Sequence, residues 1–290
     1  MNYEYVITGT FLERPNRFIA KVRIDQDIVT VHVKNTGRCK EILVPGAKVV
    51  LSASDSPNRK TPYDLVAAYK GDLLINIDSQ APNAAFKDYI ASSSCFGSSP
   101  QIYPEKVHGD SRFDFYVESN GRKIFAEVKG VTLEKDGVCM FPDAPTERGL
   151  KHLRGLEECV KEGYEAYLVM IVQMKGMKRF VPNYSTHREF GEAMEHAERS
   201  GVGVMVLECD VTEDSMTVNG RPIPHSYLRS LAAQRLPDAL LGDLGRAGGV
   251  HHQDGALRQV LPEELLPHRA APLVDDELVR VAEVVGRKVL

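Results

Sequence analysis

Ser111-Arg112-Phe113-Asp114, followed by Phe125-Ala126-Glu127-Val128-Lys129, is the stretch on which the reading of this chain turns. Both runs are rich in aromatic and β-branched residues, and Ser119-Asn120-Gly121 lies between them. Asn-Gly is a strong two-residue hairpin signal, so the pattern predicts paired strands over 112–118 and 122–129. In a strand, side chains i and i+2 share a face. Glu127 and Lys129 therefore point the same way around Val128, and Asp114 approaches Glu127 from the neighbouring strand. Two converging carboxylates make a hard-oxygen site suited to Mg²⁺ or Mn²⁺. A lysine beside them can orient an attacking water or stabilise charge on a pentavalent phosphorus. This is the D…E-x-K arrangement of metal-dependent nucleases. The competing reading is an exposed Glu–Lys pair on an edge strand, worth little energetically.

The surroundings fit the nuclease reading. A helix is predicted over 83–93 and a first strand over 101–107. Pro145-Thr146 opens a second helix, with Thr146 or Asp143 as N-cap. Leu150, Leu153, Leu156 and Val160 form its apolar stripe, and Gly163 closes it. A buried strand over 165–172, a helix over 188–199 and another buried strand over 202–208 complete a mixed sheet flanked by helices. Gln173, ending the first buried strand, is a candidate for reaching a metal-bound water or a phosphate. Glu105 is a weaker third carboxylate, because Pro104 marks an edge or a bulge. Arg148, Lys151 and His152 lie within about one turn near a helix start, where free N–H groups favour anions. They are candidates for holding a backbone phosphate.

The first eighty residues read as short strands over 5–11, 18–24, 28–33, 48–52, 63–69 and 73–77, divided by turn residues such as Arg14-Pro15-Asn16 and Lys70-Gly71-Asp72. That is the size of an oligonucleotide/oligosaccharide-binding (OB) barrel. Ten Lys/Arg stand against four Asp/Glu between Arg14 and Lys60, on a chain of net charge −4. A basic module on an acidic chain suits a polyanion on one face; an ordinary solvated β surface is the plainer alternative. Arg17, Lys21, Lys34 and Arg38 are the candidate strand-binding residues. Phe18 or Tyr63 could stack a base, or could equally be barrel core.

Composition narrows the class. Hydrophobic residues make up 43% and charged residues 26% of the 290, as in ordinary water-soluble globular chains. No run reaches the ~18 apolar residues of a membrane span, and no signal peptide is visible. The five cysteines are odd in number, scattered and never C-x-x-C, which points to a reducing, cytoplasmic setting and not to disulfides or zinc. The pair His251-His252 reads as chance. Lysine occurs fifteen times up to residue 214 and once after it, at Lys288, so 226–290 reads as a Pro/Gly/Ala-rich extension, partly helical or disordered, with its clearest helix over 276–288.

The same residues carry a resemblance. Arg14-Pro15-Asn16-Arg17-Phe18, Asn35-Thr36-Gly37-Arg38, Arg59-Lys60-Thr61, Ile77-Asp78 and Pro82-Asn83 match the sugar fermentation stimulation protein (SfsA) family. So do Ser111-Arg112-Phe113-Asp114, Glu127-Val128-Lys129-Gly130-Val131-Thr132-Leu133, Phe141-Pro142-Asp143-Ala144-Pro145-Thr146, Lys151-His152-Leu153 and Val172-Gln173. The resemblance covers about residues 5–225. It implies an α/β (α+β) protein with an N-terminal OB-like β-barrel (1–80) and a PD-(D/E)xK nuclease-like mixed-sheet domain (81–225). It also implies DNA binding and a link to regulation of sugar (maltose) metabolism genes. By position, Asp114, Glu127 and Lys129 match the nuclease motif.

Two functions compete. The first is a Mg²⁺- or Mn²⁺-dependent nuclease-like phosphodiesterase, with Asp114 and Glu127 on the metal and Lys129 and Gln173 assisting. The second is a non-catalytic DNA-binding regulator using the same surface. A carbohydrate-active enzyme is weaker, because the chain has no tryptophan to stack on a pyranose and its carboxylates share their site with a lysine. The expected partner is nucleic acid, DNA in particular, with no membrane; the oligomeric state is left open, a homodimer included.

Overall fold

The computed structural model describes residues 1–35, 37–53 and 59–227. Apart from Ser226 and Tyr227, the extension over 226–290, with its helix over 276–288 and the His251-His252 pair, lies outside the described residues. Met1–Tyr227 forms one compact unit.

Six strands build the first sheet: β1 (Val6–Asn16), β2 (Ile19–Ile24), β3 (Asp27–Val33), β4 (Lys48–Ala53), β5 (Tyr63–Lys70) and β6 (Leu73–Asn76). Period-2 alternation explains why they close. On β2, Ala20 and Val22 are buried while Arg23 faces water, and on β3 Val31 and Val33 turn inward. The pairings run β3-β2-β1-β4-β5, and a short parallel bridge, His32↔Asp64 and Val33↔Leu65, joins β3 back to β5. The result is a closed five-strand OB barrel, with β6 extending β5. Arg14-Pro15-Asn16 is not the turn the sequence suggests. β1 runs through it, and register shifts at Phe11/Glu13 and Glu13/Asn16 absorb the proline as bulges.

α1 (Ala81–Ser92) leads into the second sheet. Its strands are β7 (Gln101–His108), β8 (Ser111–Ser119), β9 (Arg122–Val131), β12 (Glu165–Val172), β14 (Gly203–Val211) and β15 (Met216–Pro222), in the order β15-β14-β12-β9-β8-β7. β12 runs parallel to β9 and β14, and the outer pairings are antiparallel. The β8–β9 hairpin turns on Asn120 and Gly121, both with positive φ, as a type I′ turn requires. α1 covers one face, with Phe86 and Ile90 packed among Phe115, Val117, Ile124 and Val128. α2 (Glu147–Lys161) and α3 (Arg188–Arg199) cover the other, where Leu153, Leu156, Phe190 and Met194 meet Phe113, Phe125 and Leu168. Thr146, not Asp143, caps α2, its hydroxyl accepting from Gly149 N at 3.0 Å. A three-stranded sheet of β10 (Leu133–Lys135), β11 (Val138–Phe141) and β13 (Arg179–Pro182) was not legible in the sequence, nor was β15.

The barrel is tied to the second sheet by specific polar contacts. Met1 N donates to Met216 O at 3.0 Å, and Lys48 Nζ reaches Glu213 Oε1 at 2.8 Å. All five cysteines are free, and four are buried. No described helix is long and apolar enough to cross a membrane.

Candidate active site

Phe113 and Phe115 would share a face of a regular strand, yet they fall into opposite cores. β8 therefore turns over at Asp114. The β8–β9 register extends only as far as Phe115↔Ala126, which leaves Val128 N without a ladder partner on that side. Asp114 takes its place: Oδ2 accepts from Val128 N at 2.8 Å, and Oδ1 accepts from Asn83 Nδ2, on the first turn of α1, at 2.8 Å. Burial, and then the nearby Glu127 charge, push the Asp114 carboxyl above its ordinary value; the bonds from Val128 and Asn83 offset this only in part. The Glu127 charge thus reaches Asp114.

Glu127 is 2% exposed. Its Oε1 carries two contacts. Lys129 Nζ lies 2.5 Å away, in keeping with the shared face, and His152 Nδ1 closes on the same oxygen. Burial raises the Glu127 carboxyl, but the His152 hydrogen bond and the Lys129 ammonium outweigh it and hold the group below its ordinary value. Its Oε2 is buried with no hydrogen-bond partner. A dry, unpaired carboxylate oxygen costs stability, and it is the vacant lone pair that a hard cation would take.

His152 departs from the sequence reading. It is 4% exposed and faces inward onto Glu127, so it offers nothing to a phosphate in solution. Arg148 Nε donates to His152 Nε2 at 3.3 Å, which makes Nε2 the acceptor and Nδ1 the protonated donor toward Glu127. Arg148 and Lys151 are themselves exposed on α2, Arg148 in its first turn. Gln173 is also spoken for. Its Nε2 sits 3.0 Å from Asn76 O, 3.2 Å from Asn76 Oδ1 and 3.2 Å from Asp78 O, bridging the end of β12 to the end of β6. Glu105, at φ 58 on the edge strand, falls between the Pro104↔Phe115 and Lys106↔Phe113 pairs, opposite Asp114, and its carboxylate pairs with Arg112 at 2.9 Å.

The barrel candidates divide. Arg17 and Arg38 are exposed, and the Arg17 guanidinium lies 4.8 Å over the exposed Phe18 ring. Lys21 Nζ donates to Thr30 Oγ1 at 2.7 Å. Lys34 Nζ neutralises Asp78, 1% exposed, at 2.8 Å, so its charge serves the fold. Tyr63 is half-buried against the barrel core. Arg14, beside them, spends its guanidinium on the carbonyls of Arg17, Asn35, Gly37 and Arg38, at 2.5–2.9 Å. It scaffolds the loop that presents Arg38.

A divalent ion fits the donor chemistry here. Asp114 and Glu127 supply oxygens, Glu127 Oε2 is unsatisfied, and the adjoining lysine keeps local charge in hand. Among the described residues there is no group of three or more His, Cys, Asp or Glu side chains arranged as a metal site. Two carboxylates with water and a substrate phosphate are, however, how Mg²⁺ is commonly held.

Residues 12–77 match the family model "SfsA N-terminal OB domain", and residues 80–215 match "Sugar fermentation stimulation protein RE domain". The chain is 53% identical over 216 residues to a sugar fermentation stimulation protein homolog of Desulfitobacterium hafniense, covering 74% of this chain and 94% of that one. It is 49% identical over 218 residues to a homolog of Clostridium beijerinckii, covering 75% and 96%. Among solved structures it is similar to Pyrococcus furiosus SfsA in complex with Ca²⁺, with TM-score 0.71 and 26% identity over 78% of this chain and 98% of that one.

Proposed function

This chain belongs to the sugar fermentation stimulation protein family, and from that premise we propose that it binds DNA and hydrolyses its phosphodiester bonds with a divalent metal ion. The observation that carries the reading is Glu127 Oε2, buried and unpartnered beside Asp114, on a carboxylate whose other oxygen is held by Lys129 and His152. Asp114 and Glu127 would hold Mg²⁺ or Mn²⁺. A bound ion supplies a polarised phosphate oxygen and a more acidic water. Lys129 holds its ammonium at the acidic pair, where it can orient that water or meet charge developing on phosphorus. His152 fixes Glu127 and is itself steadied by Arg148, so the pair is pre-set and not left to rotamer chance. The archaeal relative's Ca²⁺ complex supports a hard, oxygen-seeking cation. Arg17, Lys21, Arg38, Arg148 and Lys151 supply phosphate contacts around the site, with Phe18 available for stacking.

A second reading, a non-catalytic DNA-binding regulator of sugar metabolism genes, is favoured by one observation: among the described residues no group of three or more His, Cys, Asp or Glu side chains is arranged to hold a metal. One experiment separates the two. Single-stranded, double-stranded and branched DNA, and RNA, are incubated with Mg²⁺ or Mn²⁺ and wild-type, Glu127→Ala or Lys129→Ala protein. The nuclease reading expects cleavage that both substitutions abolish. Salt-sensitive binding with no cleavage by the wild type leaves the regulator, and cleavage surviving both substitutions removes this site from the chemistry.

A further inference from the structure

Next to the acidic pair lies a pocket of about 360 Å³, lined by Asn35 and Gly37 of the barrel, the segment Phe141–Thr146, Gly130 and Gln173. Its position is fixed by the fold. Gly130 follows Lys129 directly on β9, three residues and therefore about 10 Å along the strand from Glu127. Thr146 caps the helix that carries His152. The walls approach so closely that side chains are excluded: a Cβ at Gly130 would lie 2.2 Å from Gln173 Oε1, and one at Gly37 would lie 2.7 Å from Asp143 Oδ2.

The lining has a definite chemistry. Phe141, Pro142, Pro82 and Pro145 give apolar faces, and no lysine or arginine contributes. The Asp143 carboxylate makes no hydrogen bond or ion pair with any described residue. The Gln173 amide nitrogen is spent on Asn76 and Asp78, while its Oε1 takes no hydrogen bond from a described residue. The pocket therefore offers a carboxylate and an amide oxygen as acceptors, beside the Thr132 and Thr146 hydroxyls, which can donate or accept. A phosphate is excluded by repulsion. Exposed basic residues follow in the chain on both sides, Arg38 just after Gly37 and Arg148 two residues after Thr146. They are placed for the flanking phosphates.

We infer that this pocket receives one unpaired nucleobase of the bound strand and favours bases carrying an exocyclic amine, cytosine and adenine over thymine. The volume is at the low end for ligand sites, enough for one base. Its flat apolar walls suit a base face, and a base still paired in a duplex cannot enter such a recess. A carboxylate accepting from the cytosine amine is a recurrent base contact. The inference rests on the nucleic-acid reading above and adds to it a preference for single-stranded or locally opened substrate.

The test uses the full chain in EDTA, with fluorescence anisotropy on 12-nucleotide oligo(dC), oligo(dA) and oligo(dT). A set of oligo(dC) strands carries one abasic position moved along the strand. Each is measured at two salt concentrations for wild type, Phe141→Ala and Asp143→Asn. The expected result is oligo(dC) and oligo(dA) bound about fivefold or more tighter than oligo(dT), the low end of one good base contact. One abasic position should cost a similar factor. Asp143→Asn should erase the cytosine-over-thymine preference with the salt slope unchanged. Affinity indifferent to base identity and to abasic positions, with a steep salt slope intact, overturns the pocket and leaves the nucleic-acid reading standing. Absence of salt-dependent binding to any strand overturns both. If a variant fails to fold, the base series and the abasic walk on wild type decide alone.

Discussion

Replacing Gln173 by alanine asks whether this side chain holds the molecule together. It is 2% exposed, and its Nε2 faces two main-chain carbonyls and one side-chain oxygen of the barrel, at 3.0–3.2 Å. An amide nitrogen has two hydrogens, so two of the three contacts are full bonds at once. At about 1 kcal/mol each, plus about 1 kcal/mol for acceptors left dry, the loss comes to ~2–3 kcal/mol. The main-chain bond from Asn76 N to Gln173 O, 2.9 Å, survives the change and is not counted. For a unit of this size the melting temperature should fall by about 5–10 °C. Gln173→Glu is the sharper control: it keeps the shape, has no donor when ionised, and turns negative charge on the same carbonyls. It should melt no higher than the alanine variant. Thermal melting followed by circular dichroism reads both. If both variants melt within about 2 °C of wild type, less than 1 kcal/mol's worth of shift, Gln173 is not a clamp.

Three further outcomes follow from the geometry. Asp64 accepts from Arg59 at 2.9 and 2.6 Å and contacts His32 at 2.8 Å; burial raises its carboxyl, but these partners hold it below its ordinary value. Its contribution is complete above the unfolded value of about 3.9 and is lost as pH falls through the lowered folded value, so wild type should lose more stability than Asp64→Asn between pH 5 and pH 3 in thermal melts. Thr146→Ala removes the α2 cap and should cost about 1 kcal/mol in urea unfolding, whereas Asp143→Ala, not the cap, should cost far less. Burial pushes the thiols of Cys39, Cys139, Cys159 and Cys209 up to about 12, so brief alkylation of native protein at pH 7.5, read by mass spectrometry, should label Cys95 and spare the other four.

The barrel strands were legible because alternation over four to eight residues survives in the sequence, as in β2, and the β8–β9 hairpin because Asn120-Gly121 permits few other conformations. β10, β11 and β13 carry three or four residues each, too few for a period to register, and they exist only because neighbouring segments supply partners. The run through Arg14-Pro15 has the residues of a turn and yet continues β1, because bulges that accommodate a proline depend on the partner strand. At the site, the i, i+2 rule brought out Glu127 and Lys129. The inward turn of His152 was also accessible: three residues after Gly149 and four before Leu156, it lies on the buried stripe of α2. Asn83 meeting Asp114, and Gln173 meeting Asn76 across 97 positions, are consequences of tertiary packing, to which no local pattern points.

The most direct test of the central claim is a calorimetric titration of Mn²⁺ into the full chain, with wild type and Glu127→Ala compared at one pH and their folding checked by circular dichroism. One ion bound per wild-type chain, with binding lost in Glu127→Ala, is the predicted result. Wild-type protein that takes up no Mn²⁺, or a Glu127→Ala protein that binds it as well as wild type does, would contradict the account.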